Sequence, residues 1–243
     1  QATEQLKRKL ERRTERLTGG VPPWLWAEIG PLARTCDALY VNFISGFEME
    51  LDTAQSLRNG FAGPTYADLH SLFLGVGSSG LRVPRELPSW GAWLRCFDAV
   101  QMNAEEFELL GRAVGDPWAL AAQIVGPELK LITITLGANG AGYVAGAAFN
   151  SDPSLWPDTW HRVAIPRPAR SGIAPAEDSE VMGDPTGCGD VWGATLLAGL
   201  LRGNQLEPAM AQANRVAAKN VAHRGVSGLH RHLRGRLSTE EDE

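Results

Sequence analysis

At 243 residues, 44% of them hydrophobic and 21% charged, the chain has the makeup of a globular protein with a sizeable core rather than of a disordered or fibrous one. A net charge of -5 argues against broad binding to nucleic acid or to an anionic membrane. Three cysteines, Cys36, Cys96 and Cys188, lack C-x-x-C spacing, so they suggest neither a disulfide framework nor a zinc site and fit a reducing cytoplasm.

In chain order, Leu6, Leu10 and Leu17 recur at helical spacing and predict an amphipathic helix over residues 4–17. Its Lys and Arg residues are interleaved with Glu4, Glu11 and Glu15, which reads as a solvated face rather than a lipid or nucleic-acid contact. No apolar signal core occurs there, and no apolar run approaches the roughly 20 residues that span a bilayer. After the break TGGVPP a short helix is expected over Trp24–Ala33, then a strand over Ala38–Phe43 and a helix around Leu51–Arg58. Further strands are expected at Tyr66–His70, Phe97–Met102 and, most clearly, Leu131–Leu136, with helical segments between them. Strand alternating with helix predicts one α/β domain: a mainly parallel sheet with right-handed crossovers and helices on both faces. Residues 150–183 read as an irregular excursion apart from a strand at Arg162–Ile165. Two consecutive helices follow, Gly187–Leu201 and Glu207–His223, the first apolar on most sides and therefore buried. The acidic end, residues 238–243, is expected to fray.

The chemistry concentrates in GDPTGCGDVWGATLLAGLL, Gly183 to Leu201. Gly187, Cys188 and Gly189 would open a helix whose first N–H groups lack intrahelical acceptors. With the helix dipole, such donors suit a phosphate, and small residues let it approach. A carboxylate in the same turn, Asp190, would repel that anion. It makes sense facing a hydroxyl, as a general base beside an anion hole; the plain alternative is a first-turn acid favoured by the dipole. Two further motifs are each ambiguous alone. Asn103-Ala104-Glu105-Glu106 follows a strand and doubles as a helix cap with Glu106 at the third position. Thr135-Leu136-Gly137-Ala138-Asn139-Gly140 ends a strand that resumes at Gly142-Tyr143-Val144, which a β-hairpin turn would equally explain.

Together and in this order, the motifs resemble the C-terminal part of the ribokinase-like, PfkB-type carbohydrate kinases. The family's D-T-x-G-A-G-D is matched by Asp184 to Asp190, its N-x-x-E by Asn103 to Glu106, and its T-x-G-x-x-G by Thr135 to Gly140. The resemblance implies a ribokinase-like fold lacking the family's N-terminal substrate and lid segment, and an ATP-dependent phosphotransferase acting on an alcohol of a small sugar or nucleoside-like substrate. It implies Asp190 as the base, with Gly187, Cys188 and Gly189 as the anion hole. Glu106 and Asn103 would organise Mg²⁺, its water and the ATP phosphates, and Asp184, Thr135, Gly137, Gly140 and Asn214 would line the nucleotide site. A monovalent cation is a further candidate cofactor. Cys188 departs from the usual alanine and would put a thiol near the phosphates.

Against turnover stands the missing substrate half, which leaves a catalytically silent nucleotide-binding or regulatory module as the alternative. A dinucleotide loop at Gly137–Gly142 has the wrong glycine spacing and continues as a strand where a helix is required. His70 is a lone histidine beside an acid, and Asp68 ends a strand and is a candidate for a place near the phosphates, but polar pairing in the core or at the surface is the favoured reading of both. The tryptophans, Trp192 included, read as packing. Loss of a lid would also leave an apolar face on which two copies could pair.

Overall fold

A computed structural model describes residues 16–20, 22–112, 115–157, 168–177, 183–223, 225 and 227–235. The strands are β1 (Leu39–Asn42), β2 (Thr65–Asp68), β3 (Leu74–Val76), β4 (Arg82–Pro84), β5 (Ala99–Asn103), β6 (Leu131–Thr135), β7 (Ala141–Ala145) and β8 (Arg170–Ala174). The helices are α1 (Trp26–Ala33), α2 (Leu51–Gly60), α3 (Trp90–Arg95), α4 (Ala104–Gly111), α5 (Pro117–Ile124), α6 (Cys188–Leu201), α7 (Leu206–Val221) and α8 (Leu229–Leu233).

Six strands form one sheet in the order β1-β2-β5-β6-β7-β8. The first four are parallel, and β7 and β8 continue antiparallel. Apolar side chains cover both faces of this sheet, as strands buried on two sides require. On one face Ala67, Val100, Met102, Ile132 and Ile134 pack with α2 to α5; on the other, Tyr66, Ala99, Leu131 and Tyr143 pack with α6 and α7. Among the described residues no helix is long and apolar enough to cross a membrane.

At the N-terminal ends of the parallel strands sits a buried charge cluster. Asp98 accepts from Lys130 Nζ at 2.9 Å, Arg58 Nη1 at 3.1 Å and the Thr65 N–H at 2.9 Å. Burial lowers the Lys130 ammonium to about 8, the Asp98 carboxylate opposing the shift.

Several expectations are corrected. The excursion contains β8, whose sequence RSGIA lies mostly exposed at the sheet edge and so has no apolar alternation to announce it. The hairpin of β3 and β4 was likewise not signalled, its strands being three residues each. The expected helix over residues 4–17 does not reach its end. Arg16 bridges Leu81, and the Leu17 N–H donates to the Gly80 carbonyl at 2.9 Å, which commits this backbone to extended pairing. Its remaining residues, the Arg162–Ile165 strand and the acidic end lie outside the described residues.

Candidate functional site

Alternation and register put a row of polar side chains under the start of α6. Successive side chains of a strand face opposite ways, so Asp68, Gln101 and Thr133 lie on the same face as Tyr66, Ala99 and Leu131, two residues after these apolar positions that meet α6 and α7, and Asn42 follows Tyr40 in the same manner.

 That face is the one shared by Tyr66, Ala99 and Leu131. The register aligns Asn42 with Asp68, Asp68 with Gln101, and Gln101 with Thr133. These groups bond to one another and to the helix above. Gln101 Nε2 donates to Asp68 Oδ2 at 2.7 Å and to the Gly189 carbonyl at 3.0 Å, while Gln101 Oε1 accepts from the Tyr66 hydroxyl at 3.1 Å.

Gly187 caps α6 with φ +76°, a left-handed conformation that costs a residue with a Cβ roughly 1–2 kcal/mol. Among the described residues no acceptor meets the N–H of Gly187, Gly189 or Asp190. Cys188 differs: its N–H donates to the Pro185 carbonyl at 3.1 Å, and its thiol is turned onto α7, 3.5 Å from the Ala217 carbonyl and 3.3 Å from Asn220 Nδ2. The thiol expected near the phosphates is therefore directed at the neighbouring helix. Asp190 is exposed, and its Oδ1 accepts from Asn42 Nδ2 at 2.7 Å. Asp184 shapes the turn before the helix, its Oδ1 accepting from the Thr186 N–H at 2.9 Å.

Beside this turn lies an acidic group. Asp68 Oδ2 would be 3.7 Å from a Cβ placed on Gly189. Burial first, then the Glu106 carboxylate, pushes the Asp68 carboxyl up to about 7. Glu106 and Asn103 form the expected capping box of α4: the Glu106 N–H donates to Asn103 Oδ1 at 3.0 Å, and Glu106 Oε2 accepts the Asn103 N–H at 2.7 Å. Glu106 Oε1 also meets His70 Nδ1 at 2.5 Å and accepts from Asn103 Nδ2 at 2.6 Å. Asp68 and His70 are thus polar-paired, the favoured reading of the sequence, and their partners are Gln101 and the motif residue Glu106.

Thr135 ends β6, and Gly137–Asn139 form an exposed 3₁₀ turn from which Gly140 leads into β7. The antiparallel hairpin excludes a dinucleotide loop, which would need a helix here. Gly140 packs against Ala174–Ala176. Asn214 holds that same segment, donating to the Ala174 and Pro175 carbonyls at 2.9 and 3.1 Å and accepting from Trp192 Nε1 at 2.7 Å. Its amide is thereby committed to tying the loop after β8 to α6, and Trp192 is buried packing, as expected.

The unaccepted amides at the start of α6 fit a phosphate by the chemistry of their donors. The acidic group fits Mg²⁺ as an outer-sphere partner. Among the described residues no three His, Cys, Asp or Glu are placed to hold a metal alone, and Glu106 is already engaged by three donors. Magnesium keeps several waters and is commonly held by one or two carboxylates together with substrate phosphates. Sequence reasoning missed Asn42 and Gln101. Each is an amide within an otherwise apolar strand, and that mismatch was the available signal.

The sequence profile of the pfkB family carbohydrate kinases matches residues 84–231. No curated protein matches the chain. Among solved structures, a pyrophosphate-dependent kinase in the ribokinase family superposes with a TM-score of 0.66 at 18% identity, over 93% of this chain and 69% of its own. A nucleoside kinase of Burkholderia thailandensis, in complex with inosine, gives 0.55 at 20% identity over 82% and 53%. Ribokinase of Arabidopsis thaliana, complexed with ribose and ATP, gives 0.55 at 13% over 84% and 58%. At these identities the likeness is one of fold, and the chain spans only 53% and 58% of the last two relatives' length.

Proposed function

This chain belongs to the pfkB family of carbohydrate kinases, and from that premise we propose that it moves the γ-phosphoryl group of ATP to an alcohol of a small sugar or nucleoside-like molecule. The observation behind this reading is the first turn of α6, where unaccepted main-chain N–H groups lie beside the exposed Asp190 carboxylate. The relatives with bound ribose and ATP, or with inosine, supply the classes of donor and acceptor.

In the proposed reaction the N–H groups of Gly187, Gly189 and Asp190 hold the oxygens of the transferring phosphoryl group, where negative charge is concentrated. Asp190 takes the proton of the acceptor hydroxyl as its oxygen bonds to the γ-phosphorus. The bond from that phosphorus to the β–γ bridging oxygen breaks, and ADP leaves with the bridging electrons. Bound Mg²⁺ would neutralise phosphate charge, and Asp68 and Glu106 are the carboxylates that would orient its water. Gly137–Gly140 and the loop secured by Asn214 border the nucleotide.

Calorimetric titration with ATP and Mg²⁺, followed by ADP release over a sugar and nucleoside panel, tests the reading. Asp190→Asn is expected to cut turnover more than about 100-fold while leaving ATP affinity intact. Unchanged turnover would remove Asp190 from the reaction. Binding without turnover on any acceptor would make the chain a nucleotide-binding module.

A further inference from the structure

We propose that Asn42 is the positioning residue for Asp190, fixing the carboxylate so that Oδ2 is the oxygen that receives the acceptor's proton. The inference rests on the reading of Asp190 as the base and adds what sets its direction. Asn42 ends β1, the edge strand, on the α6 side of the sheet, and Asp190 lies in the first turn of α6, 148 residues away in sequence. The Asn42 Nδ2 to Asp190 Oδ1 bond of 2.7 Å is the hydrogen bond that reaches this carboxylate among the described residues.

A donor fixed on a base is counterproductive for basicity, since hydrogen bonding to a carboxylate favours its charged form. Its benefit is orientation. A free aspartate on a first helical turn samples several rotamers and offers either oxygen. With Oδ1 held, the carboxylate plane is set and Oδ2 is left on the Gly187 side, 3.6 Å from where a Cβ on Gly187 would stand. Gly187 is also the capping residue of the unaccepted N–H group. The same short region thus presents a proton acceptor and phosphate donors, the two kinds of group that phosphoryl transfer to a hydroxyl needs. Asn42 is half-buried and anchored by pairing with Asp68 along the sheet, so the donor is rigid.

In the full chain, Asn42→Ala is expected to lower kcat about 10- to 100-fold, the penalty for a misplaced reacting group, with the KM for ATP altered less than about threefold. Introduced into Asp190→Asn, the same change is expected to cost almost nothing further, because the group it orients is gone. An equal loss in both backgrounds, or a loss confined to KM, overturns the proposal. Should the unaltered chain transfer no phosphoryl group, the proposed function fails by that control, and the contact is decided separately. The Asn42 side-chain amide resonance of a ¹⁵N-labelled chain, identified by its disappearance in Asn42→Ala, is expected to move in Asp190→Asn; an unmoved resonance overturns the positioning role whatever the activity.

Discussion

Gln101 donates a side-chain hydrogen bond of 3.0 Å to the Gly189 carbonyl, so the middle of a buried strand grips the first turn of the helix lying across it. The same amide nitrogen holds Asp68 Oδ2, and Oε1 receives the Tyr66 hydroxyl, which itself lies 2.8 Å from Thr133 Oγ1. Gln101→Leu keeps the volume and removes the three bonds that Gln101 makes, leaving Asp68 Oδ2 and the Gly189 carbonyl without this donor. The expected cost is about 1–3 kcal/mol in urea unfolding, with weaker ATP binding because the turn is released. A variant with unchanged midpoint and affinity would show that the row merely fills space.

Gly193 marks how closely α6 approaches that row. A Cβ there would stand 2.4 Å from Gln101 Oε1 and 2.6 Å from the Tyr40 hydroxyl. Gly193→Ala must therefore lift the helix or shift both side chains, and overpacking of this kind costs about 1–3 kcal/mol. Because Asp190 sits one turn earlier, turnover is expected to fall further than stability alone explains. Steady-state kinetics at a temperature where the variant remains folded separates the two effects.

Much of this was legible from residue order. The β-branched run Leu131–Thr135 and the apolar α6 announced their elements because each is a continuous apolar stretch bounded by turn residues, as buried elements are. Asn103 and Glu106 gave α4 its start because a capping box is a local arrangement. What stayed hidden depended on pairing across the fold. Gln101 and Asn42 acquire their partners only when the register sets β1, β2 and β5 side by side beneath α6. His70 meets Glu106 from the 3₁₀ turn that follows β2, 36 residues away. The edge strand β8 is mostly exposed and lacked the alternation that a half-buried strand shows.

The Asp68 carboxyl makes stability depend on pH in a definite direction. Its folded value, pushed to about 7, stands above the ordinary carboxyl value of 3.8, so the folded state holds the proton more tightly. This contribution is fully present below about pH 4 and is lost as pH rises through about 7. Between pH 5 and pH 8 the loss is about 2–3 kcal/mol, at roughly 1.4 kcal/mol per unit. Urea midpoints across that window should fall for the unaltered chain and stay flatter for Asp68→Asn. ATP with Mg²⁺ should also flatten the curve by favouring the anion. Parallel curves for the two chains would exclude Asp68 as the group responsible.

Asp98 anchors the opposite end of the strands and offers a test of stability apart from the site. The carboxylate is fully buried and compensates Lys130, also fully buried, and Arg58. Asp98→Ala removes the carboxylate bonded to the buried Lys130 ammonium, and breaking a buried pair by removing one partner costs about 3–5 kcal/mol. Thr65 simultaneously loses the acceptor for its N–H and hydroxyl. ATP affinity of the remaining folded protein should change little, since the cluster lies at the strand ends away from Asp68 and Asp190. Pairing Asp98→Leu with Lys130→Met removes both charges, and replacement of a buried pair by packed apolar groups is often neutral. Recovery of most of the lost urea midpoint in that double variant would assign the cost to the Asp98–Lys130 pair, and absence of recovery would assign it to the Thr65 and Arg58 bonds.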